Sequence, residues 1–246
     1  MDKKVVLVTG SSIGLGRAII EKFARNNYNV IINYNNSKQE AEELKSYIEN
    51  TYHTKAITIK CDITKESEIE EMKQIIIKEF GVLDCLVNNA GIAIDTDFNL
   101  KTKEDFIKTL DTNLVSLFLV SRTFGNLMLE NKKGKIINIA STNGIDSYYE
   151  YSLDYDASKA GVINLTHNLA NHYSPYINVN CVCPGWIDTP MNKDLDESFK
   201  QKEIDKILLK RFASPKEIAS LVYFLSTDEA SYINDSIIKI DGGRKC

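Results

Sequence analysis

No apolar run in this 246-residue chain is long enough to cross a bilayer or to form a signal-peptide core: the first, Val5-Val6-Leu7-Val8, ends after a single short strand's worth of residues. A cytoplasmic protein with no membrane association is the expectation. Blocks of like charge are also missing. Lys and Arg (30) are interspersed with Asp and Glu (34), for a net charge of -4, which argues against the basic stripe of a nucleic-acid-binding surface. The five cysteines, Cys61, Cys85, Cys181, Cys183 and Cys246, form an odd set without a paired framework and read as reduced thiols. Cys181-Val182-Cys183 stands in an apolar segment with no second ligand cluster, and His167 and His172 fall on different faces of a helix. No metal site is expected, because ligand sets need three or four convergent groups.

What is present is an alternation. Short β-type runs at 5–8, 30–33, 56–60, 85–87, 135–139, 178–182 and 237–240 are separated by longer stretches of helical period, the signature of βαβ units. Most of the runs are continuously apolar, as expected of strands covered on both faces. Leu15, Ile19, Ile20, Phe23 and Ala24 line one face of a first helix. Further helices are expected over 65–80 with Thr64 as N-cap, over 103–131, over 156–173, and from Ser214-Pro215 with proline at the first helical position. Right-handed crossovers then give one α/β domain over 1–246, a doubly wound Rossmann-type three-layer sandwich on a mostly or fully parallel seven-stranded sheet.

Directly after the first strand comes Thr9-Gly10-Ser11-Ser12-Ile13-Gly14-Leu15-Gly16, running into a helix. Glycines permit a tight turn and close approach of a pyrophosphate, while the helix start offers free N–H groups and a positive dipole end. The spacing G-x-x-x-G-x-G departs from the commoner G-x-G-x-x-G, so its placement between strand and helix carries the reading. At the end of the second strand, Asn33-Tyr34-Asn35-Asn36-Ser37-Lys38 lacks the acid that favours a ribose hydroxyl, which tips the expectation toward NADP over NAD.

Tyr155-Asp156-Ala157-Ser158-Lys159 puts a phenol and an ammonium one helical turn apart. Tyr34 and Lys38 repeat that spacing at a strand end, so spacing alone decides nothing. Ser141, however, follows the apolar strand 135–139 and should stand at the carboxyl edge of the sheet, where open α/β sheets bind ligands. A tyrosine with a pKa near ~10 exchanges protons poorly at neutral pH, and a lysine charge beside it would favour the phenolate.

With Asp62, Asn88-Asn89-Ala90-Gly91, Asn113 and Pro184-Gly185-Trp186-Ile187-Asp188-Thr189 added in order, the chain resembles the short-chain dehydrogenase/reductase family throughout its length. The resemblance implies a catalytic tetrad of Asn113, Ser141, Tyr155 and Lys159, with Asn113 anchoring a proton-supplying water chain. It also implies cofactor contacts from Gly10, Ser12, Ile13, Gly14, Gly16, Asn35, Asp62, Ile63, Asn89, Gly91, Ile187 and Thr189, together with Tyr155 and Lys159. A homodimer or homotetramer built on the helices 103–131 and 156–173 is implied as well.

In pattern the chain is most similar to the 3-oxoacyl-[acyl-carrier-protein] reductases of fatty acid biosynthesis. That implies an acyl-thioester or other small-molecule substrate, presented by an acidic acyl carrier protein to basic residues such as Lys132, Lys133 and Lys135. Sugar, polyol and hydroxysteroid dehydrogenases of the same family remain alternatives, as does a nucleotide-binding redox sensor without turnover. The tyrosine-rich loop 142–154 would line the pocket, and the charged segment 191–211 would form a mobile lid.

Overall fold

The computed structural model describes residues 3–192 and 195–243; Cys246 and two residues of the expected lid, Lys193 and Asp194, lie outside them. The first strand, β1 (Val5–Val8), is buried along its whole length. Val5 and Leu7 join one apolar cluster and Val6 and Val8 the other, which is why the run is continuously apolar rather than alternating. With β2 (Asn29–Tyr34), β3 (Ala56–Lys60), β4 (Cys85–Asn88), β5 (Gly134–Ile139), β6 (Ile177–Pro184) and β7 (Ile237–Ile240) it forms one sheet. The order is β3-β2-β1-β4-β5-β6-β7, and every pairing is parallel. Each expected strand is found, with ends shifted by no more than two residues.

Helices cover both faces. On one, α1 (Gly14–Arg25), α2 (Lys38–Tyr52) and α8 (Pro215–Ser226) place Ile19, Phe23, Leu44, Ile48, Ile218 and Val222 against the sheet. On the other, α3 (Glu66–Phe80), α5 (Ser116–Glu130) and α6 (Leu153–Tyr173) contribute Ile69, Met72, Phe124, Val162 and Tyr173. Each such side chain, fully buried, stabilises the fold by about 1.5–3 kcal/mol before entropy is counted. Two shorter helices, α4 (Lys103–Leu110) and α7 (Glu197–Lys206), flank the carboxyl edge. No helix among the described residues is long and apolar enough to cross a membrane.

Three helical expectations are refined. Thr64 does not cap α3: its hydroxyl donates to Asp62 Oδ1 at 2.8 Å, and Lys65 occupies the cap position. The stretch 103–131 is helical almost throughout, as expected, but a π-turn at Asp111–Val115 within it divides the regular α-helical hydrogen bonding into α4 and α5. The helix expected from 156 begins at Leu153, so Tyr155 sits in its first turn. As expected, Ser214 and Pro215 open α8, with a capping box to Glu217.

Candidate active site

Between β1 and β4 the strand order reverses, and there the carboxyl ends of the strands open into a cleft of about 960 Å³. A crevice outside the carboxyl ends at such a switch point is where doubly wound sheets bind ligands. The glycine loop forms one wall. Gly10 and Gly14 have φ of +60° and +57°, and a Cβ at Gly16 would lie 2.5 Å from the Gly10 carbonyl and 2.6 Å from Asn89 Nδ2. Helix and loop therefore meet at a distance only glycine allows. The N-terminus of α1 has no side-chain cap and no acid in its first turn. Its free N–H groups, on Ile13, Gly14, Leu15 and Gly16 at the cleft, suit a phosphate.

Two asparagines hold this loop. Asn89 Nδ2 donates to the carbonyls of Thr9 and Gly10 at 3.0 and 3.2 Å. Asn33 Oδ1 accepts the Gly10 N–H at 3.0 Å, and its Nδ2 donates to the Cys61 carbonyl at 3.1 Å. Asn33 was not expected as a site residue; the signal available was a polar side chain in the buried apolar strand β2. Beyond it, Asn35, Asn36 and Ser37 line the cleft, with Ser37 Oγ 2.5 Å from Ser12 Oγ. Lys38 opens α2, exposed, outside the cleft lining. Tyr34 is buried, so the second Y-x-x-x-K pattern brings no phenol and ammonium together in solvent. Asp62 and Ile63 line the far end. Burial works against the Asp62 charge, but hydrogen bonds from Thr64 outweigh it and hold the carboxyl below its usual range.

Gly91, Ser141, Tyr155, Lys159, Ile187 and Thr189 line the other half, so one cleft gathers all the expected residues except Asn113. Lys159 is 4 % exposed; its Nζ donates to the Ile139 carbonyl at 2.9 Å and lies 5.4 Å from the centre of the Tyr155 ring. Burial lowers the ammonium pKa from the usual 10.5 to about 8. The phenol moves the opposite way from expectation. Burial pushes Tyr155 up from 10.0 to about 12, opposed by a hydrogen bond with Ser141 and reinforced by the carboxylates of Asp156 and Asp95. In this site desolvation outweighs the acidifying effect expected of Lys159. Asn113 stands behind the wall, in the π-turn. It accepts the Ile92 N–H and donates to the Ile92 carbonyl, both at 2.8 Å, and donates to Ser158 Oγ at 3.1 Å.

The tyrosine-rich loop reaches the cleft through Tyr149 and Ser152, and Asp95, Asn143 and Trp186 stand beside them. Asp156 shapes this loop, accepting from Asn143 Nδ2 at 2.6 Å and from the Tyr149 N–H at 2.9 Å. Phe199 of α7 lies 5.7 Å from Tyr149 and 5.9 Å from Trp186, so α7 packs on two aromatic side chains of the cleft wall. Lys132, Lys133 and Lys135 are not at the mouth. They lie at the start of β5, at the amino edge of the sheet, where Lys133 and Lys135 line a small cavity with Lys4 and Asp228. A strand as long as β5 puts them roughly 20 Å from the carboxyl edge. Cys181 and Cys183 are buried strand residues with their sulfurs 3.7 Å apart, and no metal-binding group of His, Cys, Asp or Glu occurs among the described residues.

Comparison with known proteins agrees with this geometry. The family model described as enoyl-(acyl carrier protein) reductase matches residues 10–245. A 3-oxoacyl-[acyl-carrier-protein] reductase FabG of Aquifex aeolicus is 38% identical over 244 residues, covering 99% of this chain and 98% of its own length. Glucose 1-dehydrogenase 2 of Bacillus subtilis is 34% identical over 244 residues, covering 98% and 94%. A crystal structure from Agrobacterium tumefaciens assigned to a gluconate dehydrogenase superposes with a TM-score of 0.92 at 32% identity, covering 98% of this chain and 95% of that one.

Proposed function

Because the chain belongs to the short-chain dehydrogenase/reductase family of NAD(P)-dependent oxidoreductases, we propose that it interconverts a carbonyl and a secondary alcohol, with Tyr155 exchanging the proton. The observation that carries this is the convergence of Ser141, Tyr155 and Lys159 in the cleft that also holds the glycine loop. The uncapped N-terminus of α1 and the glycine cradle fit a dinucleotide pyrophosphate. Ser12, Ile13, Asn35, Asp62 and Ile63 would hold the adenosine side, and Asn89, Gly91, Lys159, Ile187 and Thr189 the nicotinamide side. When bound, that cofactor supplies the hydride that reduces the carbonyl carbon.

The chain's own residues manage the proton. A phenol held near 12 is protonated at neutral pH, so Tyr155 is ready to donate to the substrate oxygen, which Ser141 also hydrogen-bonds. Lys159, with a pKa of about 8, is mostly charged at pH 7 and stabilises the phenolate left behind. Asn113 fixes the loop at Ile92 and the helix at Ser158, holding the two walls of the site together. With no carboxylate among the residues Asn35, Asn36 and Ser37 at the adenosine end, NADP is favoured over NAD; a tighter Kd for NADH than for NADPH would refute that preference.

A 3-oxoacyl thioester is the first substrate reading, supported by the 38% identical relative. A sugar or polyol is the second, supported by Asp95, Asn143 and Tyr149 on the substrate side and by the placement of Lys132, Lys133 and Lys135 at the wrong edge for a carrier protein. The deciding experiment follows NADPH and NADH oxidation with acetoacetyl-CoA, and NADP and NAD reduction with D-glucose and polyols. Turnover of neither class, with nucleotide still bound, would favour the sensor reading. Exposed Ile107 on α4, Val115 in the π-turn and Phe118 on α5 support a homodimer or homotetramer, which a monomeric mass by light scattering would refute. The lack of a membrane-crossing helix among the described residues accords with a cytoplasmic location.

A further inference from the structure

The residue before Tyr155 is unusual for its position. Asp154 is fully buried, and its carboxylate accepts Lys101 Nζ at 2.9 Å and Thr109 Oγ1 at 2.7 Å. Lys101 is equally enclosed, its side chain 4 % exposed, and its ammonium also donates to the Ile94 carbonyl. One buried ion pair therefore joins α6, α4 and the loop between β4 and α4. That loop lines the substrate side through Ala93 and Asp95. Burying two charges costs desolvation that their attraction does not reliably repay, so stability alone is a poor reason for a pair here.

The helix geometry supplies a better one. Asp154 and Ser158 are four apart and so share a face of α6, while Tyr155 and Lys159 share the neighbouring face that looks into the cleft. On the first face, Ser158 is held by Asn113, which also binds Ile92, and Asp154 is held by Lys101, which also binds Ile94. The cleft-wall loop is thus pinned to α6 at two points one turn apart, on either side of Tyr155.

We infer that the Lys101–Asp154 pair is a positioning clamp, fixing the first turn of α6 and the loop 92–101 so that the Tyr155 hydroxyl meets the substrate oxygen at the right place. Lys101 and Asp154 are positioning residues that act through Tyr155. The proposal rests on the carbonyl–alcohol reading above, and its test is built to fail separately from it. Asp154→Asn, Lys101→Met and the double variant Lys101→Met/Asp154→Leu are compared with wild type in acetoacetyl-CoA reduction and D-glucose oxidation. NADPH binding, thermal melting and peptide-level hydrogen exchange are measured on the same proteins. Small displacements of a reacting group cost large factors in rate, so kcat should fall about tenfold or more in each variant. The NADPH Kd should stay within about twofold, since the pair touches neither half of the nucleotide wall, and any rise in KM should be smaller than the fall in kcat. The double variant removes both charges and should melt close to wild type while keeping the low kcat, with exchange raised over 92–102 and 149–157. Recovery of kcat together with melting temperature in the double variant would show that the pair merely fills space, and unchanged exchange over both segments would refute the clamp. If wild type reduces no carbonyl and oxidises no alcohol, the functional reading has failed, and the exchange data alone decide whether the clamp exists.

Discussion

Replacing Lys159 by methionine should destroy activity and stabilise the protein. The ammonium is 4 % exposed, and its pKa falls from 10.5 unfolded to about 8 folded because burial disfavours the charge. At pH 7 both states carry the proton, so the fold bears the whole penalty, roughly 3 kcal/mol at about 1.36 kcal/mol per tenfold change in proton affinity. Methionine removes that penalty but leaves the Ile139 carbonyl without its 2.9 Å partner, a loss of about 1 kcal/mol. The net gain is about 2 kcal/mol, which raises Tm by roughly 4–8 °C in a domain of this size. The pH dependence has a definite sign. Between pH 8 and 10.5 the unfolded chain holds a proton that the folded chain has shed, so this group makes wild type more stable as pH rises through that window. The advantage of Lys159→Met should accordingly be full below pH 8 and shrink toward pH 10. Calorimetric melts of both proteins at pH 7, 8.5 and 10 provide the comparison. A variant that melts below wild type at pH 7, or a gap that does not change with pH, would refute the assignment of a desolvated ammonium.

Other substitutions probe the remaining parts of the site. Gly16→Ala introduces a Cβ 2.5 Å from the Gly10 carbonyl, and displacement of the loop should weaken NADPH binding by about tenfold or more, equivalent to at least ~1.4 kcal/mol, in a fluorescence titration. Phe199→Ala removes the contact of α7 with Tyr149 and Trp186 and should raise KM several-fold with a smaller effect on kcat; an equal loss in both would argue against a covering role. For reduction, kcat/KM should fall as pH rises through about 8, because Lys159 there loses the charge that stabilises the phenolate. A profile flat to pH 10 would contradict this.

The sheet was legible because its physics is local. β1, β3 and β7 begin and end at the expected residues, since each is an apolar run bounded by polar or turn residues, whereas β6 runs two residues further because Cys183 and Pro184 continue it. The glycine turn, Ser141, Tyr155 and Lys159 were readable from their order relative to strands that all end at one edge. The π-turn at Asp111–Val115 inside the long helix was not, because no glycine or proline marks it and Asn113 within it binds Ile92, 21 residues away. Lys101 and Asp154 are 53 positions apart, and nothing in either neighbourhood announces a buried pair. The direction of the Tyr155 shift depends on desolvation by the walls of the cleft around it, which spacing does not encode. Lys132, Lys133 and Lys135 were misplaced for a related reason: a charge cluster in sequence carries no information about which edge of the sheet it decorates until the strand beside it has a direction.

Tyr155→Phe is the most direct test, since it removes one hydroxyl and leaves the ring and the glycine cradle in place. NADPH oxidation by the purified protein should be measured with the preferred carbonyl substrate, alongside NADPH affinity. A loss of kcat of about 10²–10⁴-fold with affinity changed by less than about threefold is the expected outcome for a proton donor. Wild-type turnover in the phenylalanine variant would contradict the assignment of Tyr155 as the acid.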